Sequence, residues 1–210
     1  NKIKQIIGRL NTQNLPEKDE REAVETITEL IEYYKGIFTI LSSCAARQLE
    51  EVTFRRNTIP VQELFDAAGK YFRKVTKNRT EKVELIIEPM DAKVIGDVNQ
   101  LRFLFENLID EALAVREEGV IRLQARKDNE YIRFLFTDTR REKSVTELNQ
   151  LFYPNLARMT SGEKGELRGT EYLICKQIIR DHDEFAGRRG CRINAEPAEG
   201  GGFTVYFTIP

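Results

Sequence analysis

The sequence predicts an α+β protein in two parts, an N-terminal helical hairpin over residues 1–54 and an α/β two-layer sandwich over residues 55–210. Three observations carry that prediction. A heptad seam runs through the first part, period-two alternation marks strands in the second, and amphipathic helices interleave with those strands. Their order places helices on one face of a mixed sheet.

In the first part, Ile3, Ile6, Ile7 and Leu10 are already in helical phase, so the chain opens inside a helix. Pro16, two residues before the acidic stretch "KDERE", marks the hairpin turn. Beyond it Val24, Ile27, Ile31, Tyr34, Phe38, Leu41, Ala45 and Val52 recur at alternating steps of three and four, with the polar Gln48 keeping register. Such a seam suits either a long helix packed on its own domain or a dimeric four-helix bundle. The short preceding helix cannot cover it all, which favours a homodimer through residues 1–54.

After "RRNTIP" (55–60) the pattern changes. The segment 61–77 reads as a helix, "KVELIIE" (82–88) as a strand, and "KVIGD" (93–97) as a short strand closing on Gly96. A long helix follows over 97–115, with Asp97 as N-cap and Gln100 three residues on, the pattern of a capping box. Segments 120–127 and 131–138 alternate strongly and read as paired strands around a turn at Asp128–Glu130. Residues 139–168 read as irregular apart from a short helix at "TELNQLF"; 170–182 is a helix, and "CRINAEP" with "GFTVYFTIP" forms a final hairpin across "AEGGG".

Composition narrows the function classes. Lys and Arg number 33 against 34 Asp and Glu, a balance that gives no reason to expect attraction to nucleic acid or to an anionic membrane. Cys44, Cys175 and Cys191 lie far apart, so they read as small buried residues in a reducing compartment. No apolar run approaches the roughly 20 residues of a membrane span, and no signal peptide opens the chain. The expected location is the cytoplasm, either free or as the cytoplasmic part of a larger membrane-anchored protein, with no direct membrane contact in this segment.

The run "KVIGDVNQLRFLFENLIDEAL", two strands ending in "FTDT", then "GTEYLICKQIIRDH" and the terminal "GGFTVYFTIP" together resemble the ATP-binding domain of sensor histidine kinases. The preceding hairpin is similar to that family's dimerisation and phosphotransfer domain, so the resemblance covers essentially the whole chain. It implies the histidine kinase ATPase (Bergerat) type of sandwich, a Mg-ATP site and a response-regulator-type partner. It also implies roles for individual residues. Asn107 matches the first of two asparagines that hold Mg²⁺ and phosphate, and Asp138 the acid that accepts the adenine amino group. Gly169 matches the first glycine of the lid.

Several chemical positions depart from the family pattern. The second asparagine is Glu111, and the following Lys-Tyr pair is Ala114 and Val115. A carboxylate about 4 Å from a phosphate charge costs on the order of 4 kcal/mol at an effective dielectric near 20 unless a cation intervenes. Glu111 reads either as a Mg²⁺ ligand beside Asn107 or as an exposed charge on an amphipathic helix. The adenine loop, Asp-x-Gly-x-Gly in the family, is here Asp138, Thr139, Arg140, Arg141 and Glu142, with both glycines gone. The lid's second glycine is Glu171, an acid where a helix N-terminus would receive phosphate. His182 falls where the family has a turn histidine, not the phosphoacceptor; an acceptor would lie upstream of Asn1.

These departures predict a histidine-kinase-like signalling core with a degenerate nucleotide site and no catalytic residue of its own, serving as a dimeric scaffold or docking module without a cofactor. The alternative is a divergent active kinase in which Asn107 and Glu111 hold Mg²⁺, Asp138 reads adenine and Arg140 or Arg141 replaces the missing lysine. An unrelated α/β protein with a coiled-coil arm is the third reading, and the ordered framework argues against it.

Overall fold

A computed structural model of the chain describes residues 54–153, 170–186 and 190–210. The predicted hairpin and its homodimer seam lie outside those residues, as does Gly169. Within them the chain runs β1 (Asn57–Pro60), α1 (Val61–Thr76), β2 (Val83–Ile87), β3 (Lys93–Gly96), α2 (Val98–Leu113), β4 (Gly119–Asp128), β5 (Tyr131–Asp138), α3 (Val145–Gln150), α4 (Thr170–Phe185), β6 (Ile193–Pro197) and β7 (Phe203–Ile209). Among the described residues the helices and strands expected from periodicity form.

The main sheet has the order β2-β4-β5-β7-β6. Its β2–β4 pair is parallel and the other pairs are antiparallel, so the sheet is mixed as predicted. β4 and β5 turn over at Asn129 and Glu130, between the paired Asp128 and Tyr131. Asn129 takes the left-handed φ of 56° that such a short turn needs and that Asn tolerates well. The strand β1 was not foreseen. It is four residues long, ends in a proline, and exists only because it pairs antiparallel with β3, Asn57 opposite Gly96.

Alternation on the strands builds the core. On β5 the side chains of Ile132, Phe134, Phe136 and Asp138 point inward, and on β7 those of Phe203, Val205, Phe207 and Ile209 do. α1 and α2 pack together over this face, and α4 packs on α2. Phe65 of α1, Phe105 of α2, Phe134 and Phe207 meet at the centre. Phe134 and Phe207 stack with ring centroids 4.9 Å apart, and Phe105 meets Phe134 edge-on at 5.7 Å. Burying each such ring contributes about 1.5–3 kcal/mol, with a further 0.5–1.5 kcal/mol for favourable ring geometry. Cys175 and Cys191 are buried thiols. Among the described residues no helix is long and apolar enough to cross a membrane.

Candidate functional site

The site is assembled from the end of α2, the end of β5 with the turn after it, and the first turn of α4. α2 is fixed at its N-terminus by Asp97, whose Oδ1 accepts from the Asn99 and Gln100 amides at 2.9 and 3.1 Å. Its Oδ2 accepts from the Arg55 amide at 2.9 Å. The predicted capping box is half right. The Gln100 side chain does not return the bond; its Oε1 is buried without a partner among the described residues. The Asp97 amide instead donates to His182 Nε2 at 3.1 Å.

His182 is therefore a joint between α4 and the β3–α2 turn. It is fully buried, with Phe54 edge-on to its ring at 4.9 Å. Its Nδ1 lies 2.8 Å from the Ile178 carbonyl. A carbonyl only accepts, so Nδ1 carries the hydrogen and Nε2 offers its lone pair to Asp97. Burial pushes the imidazole pKa below its usual 6.5, outweighing the Ile178 carbonyl and the Asp97 and Asp181 charges, which push it up. A depressed folded-state value means that the unfolded chain takes the proton first as pH falls. His182 thus contributes stability in full above pH 6.5 that is lost as pH drops from there through the folded-state pKa. In denaturant titrations between about pH 7 and pH 5, a His182→Gln variant is expected to lose part of the wild-type slope. An unchanged slope would exclude the imidazole as its source.

The C-terminal end of α2 exposes carbonyls that have no partner within the helix. Three arginines supply donors. Arg79 Nη1 donates to Leu113 O at 2.7 Å and Nη2 to Val115 O at 3.2 Å, while Arg140 Nη2 donates to Ala112 O at 2.6 Å. Arg141 Nη2 makes a longer contact, 3.5 Å, with Glu111 O. Cations here also meet the negative end of the helix dipole.

Asp138 sits at the centre of the site, 1% exposed. Its Oδ1 accepts from the Arg140 amide at 3.1 Å and from Arg140 Nε at 2.8 Å. Its Oδ2 accepts from Arg140 Nη2 at 2.9 Å and Arg141 Nε at 3.1 Å. A carboxylate has about four acceptor positions, so these bonds occupy it. The Arg140 side chain is itself only 1% exposed. Arg141 also lies over the Phe203 ring, 5.7 Å from its centroid, with Lys143 at 5.5 Å.

Asn107 and Glu111 lie one turn apart on α2, and both are buried. The reading of Glu111 as an exposed surface charge is thereby overturned: the helix turns this face toward α4 instead of solvent. The Asn107 amide nitrogen is committed to Phe103 O at 2.7 Å. From α4, the buried Tyr172 reaches the same cluster. Burial raises its hydroxyl pKa, and the Glu111 charge adds to that. Glu171, beside it, stands in the first turn of α4, and its Oε2 is buried without a hydrogen-bond partner among the described residues.

The fold thus brings Glu111, Asp138, Arg140, Arg141 and Tyr172 together, with Asn107 one turn away and Glu171 alongside. Among the described residues no group of three or more His, Cys, Asp or Glu side chains is arranged to hold a metal ion. Sequence reasoning missed Phe203 and Tyr172. Phe203 was legible from the inward alternation of β7; Tyr172 was not, because the pattern does not say which turn of α4 meets α2.

Residues 96–210 match the family model described as histidine kinase-, DNA gyrase B-, and HSP90-like ATPase. No curated protein is similar enough in sequence to match the chain. Among solved structures, the Acinetobacter baumannii histidine kinase AdeS is similar, with 13% identity, a TM-score of 0.57, and 99% of this chain and 93% of that one covered. Histidine kinase ThkA in complex with response regulator protein TrrA gives 18% identity and a TM-score of 0.61 over 99% of this chain and 56% of that one. The cytoplasmic segment of histidine kinase QseC gives 15% identity and a TM-score of 0.53 over 83% of this chain and 94% of that one. At such identities these likenesses show a shared fold.

Proposed function

The chain belongs to the histidine kinase-, DNA gyrase B-, and HSP90-like ATPase family, and from that premise we propose that it is a histidine-kinase-like signalling core whose nucleotide site no longer takes Mg-ATP. It acts as a dimeric scaffold or docking module in two-component-type signalling on the cytoplasmic side. The observation that carries this reading is the capture of Asp138 by Arg140 and Arg141. The acid that the family uses to read adenine has no acceptor position left: Arg140, at the first lost glycine, and Arg141 beside it occupy its oxygens. Expelling Arg140 would strip a buried cation of the bonds that satisfy it, a cost of several kcal/mol that base binding has to repay.

Glu111 and Glu171 support the same reading, since each places an acid where the family places phosphate. The residues present therefore do not suit a nucleotide, and no phosphotransfer step is routed through them. The partner class rests on the family and on the complex of ThkA with TrrA, and the dimer on the heptad seam of residues 1–54. The competing reading, an active kinase in which Asn107 and Glu111 hold Mg²⁺, draws on their burial one turn apart on α2.

Calorimetric titration with Mg-ATP and with ADP separates the two. No saturable heat is expected up to millimolar nucleotide, whereas saturable micromolar binding would overturn the closed site in favour of the kinase. Light scattering at high micromolar concentration reads the dimer, and a monomer there would count against the scaffold.

A further inference from the structure

Deepening the reading of a nucleotide site closed from within, we propose that the ends of α2 and β5 and the turn before β4 form a receptor for one planar guanidinium, which Arg140 fills. The receptor consists of acceptors only. The Asp138 carboxylate takes Nε and Nη2 side-on at 2.8 and 2.9 Å. The Glu117 carbonyl takes Nη1 at 3.1 Å and the Ala112 carbonyl takes Nη2 at 2.6 Å. These oxygens come from three separate parts of the chain, and together they use the in-plane fork that distinguishes guanidinium from an ammonium group.

The wall beneath the side chain is Gly119, at φ 137°, where a Cβ would stand 2.8 Å from Arg140 Cγ. Room for the stem is therefore built into the backbone. The receptor presents one carboxylate, whose Oδ2 it shares with Arg141 Nε at 3.1 Å, and two carbonyls, and it is closed to water, since the Asp138 and Arg140 side chains are each 1% exposed. Its ligand class is a small planar cation with several N–H groups in one plane: guanidinium, methylguanidinium or an amidine.

Removing the resident side chain and offering the head group in solution tests this. Arg140→Ala is expected to lower the melting temperature by about 10 °C. Guanidinium chloride at about 20 mM, too dilute to denature, is expected to return several degrees in a saturable way. The wild-type protein should show no such rise, and neither sodium chloride nor tetramethylammonium chloride at equal ionic strength should rescue the variant. An equal response to the salts, a rise in the wild type, or no rise at all would overturn the receptor.

If Arg140→Ala does not hold its fold, refolding yield becomes the readout. Dilution into methylguanidinium should recover more soluble protein than dilution into tetramethylammonium, and equal yields would sink the proposal. Failed rescue refutes the receptor alone, because binding of Mg-ATP to the wild-type chain is read separately by the calorimetry above.

Discussion

Replacing Asp138 by alanine is expected to destabilise the fold by about 3–5 kcal/mol, the range for removing one partner of a buried ion pair. For a domain of this size the melting temperature should fall by roughly 6–20 °C. Here the cost falls on folding. Arg140 is buried and satisfied by Asp138 and by the end of α2, so deleting the carboxylate leaves its guanidinium uncompensated, with Arg141 beside it. A double-mutant cycle isolates the effect. Asp138→Ala combined with Arg140→Ala should lose much less than the sum of the single changes, because the pair leaves together. If Asp138→Ala costs less than about 1 kcal/mol, the carboxylate does not organise this end of the sheet.

The second large effect belongs to Gly202→Ala, expected to cost about 3 kcal/mol or more. Gly202 opens β7 at φ 82°, and a Cβ there would stand 2.1 Å from Asp138 O and 2.6 Å from Thr139 Cα. Both are backbone atoms, so no side-chain rotation relieves the overlap; β5 and β7 would have to separate beside Asp138. Gly200 provides the control. It too has a positive φ, 89°, yet nothing lies within 4 Å of its Cβ position. Gly200→Ala therefore meets only the conformational cost of a left-handed alanine, about 1 kcal/mol. Chemical denaturation of both variants checks the contrast, and equal losses would mean that backbone conformation, not close approach, sets the cost at Gly202.

Much of the fold could be read from the chain because local chemistry specifies it. Alternation on β5 and β7 assigns an inward face residue by residue, and Ser144 with Glu147 forms the reciprocal cap that begins α3. The candidate site was legible in part. The missing glycines in "DTRRE" signalled a rebuilt loop, but not that its arginines fold back onto the preceding acid. Gln100 shows the same limit: the spacing for a capping box is present, yet the Asp97 amide is claimed by a histidine 85 residues away.

Sequence alone therefore determined the order of the described elements apart from β1, the faces they bury and the positions at which nucleotide chemistry departs from the family pattern. Tertiary structure decided which charge meets which. It placed Arg140 under the carbonyl of a residue 28 positions earlier, filled the acceptor positions of Asp138, and turned His182 inward onto Asp97. The physical reason is one of range. Periodicity and capping are settled by side chains within a turn or two of one another, whereas the partner of a buried charge is set by which element ends the fold brings together.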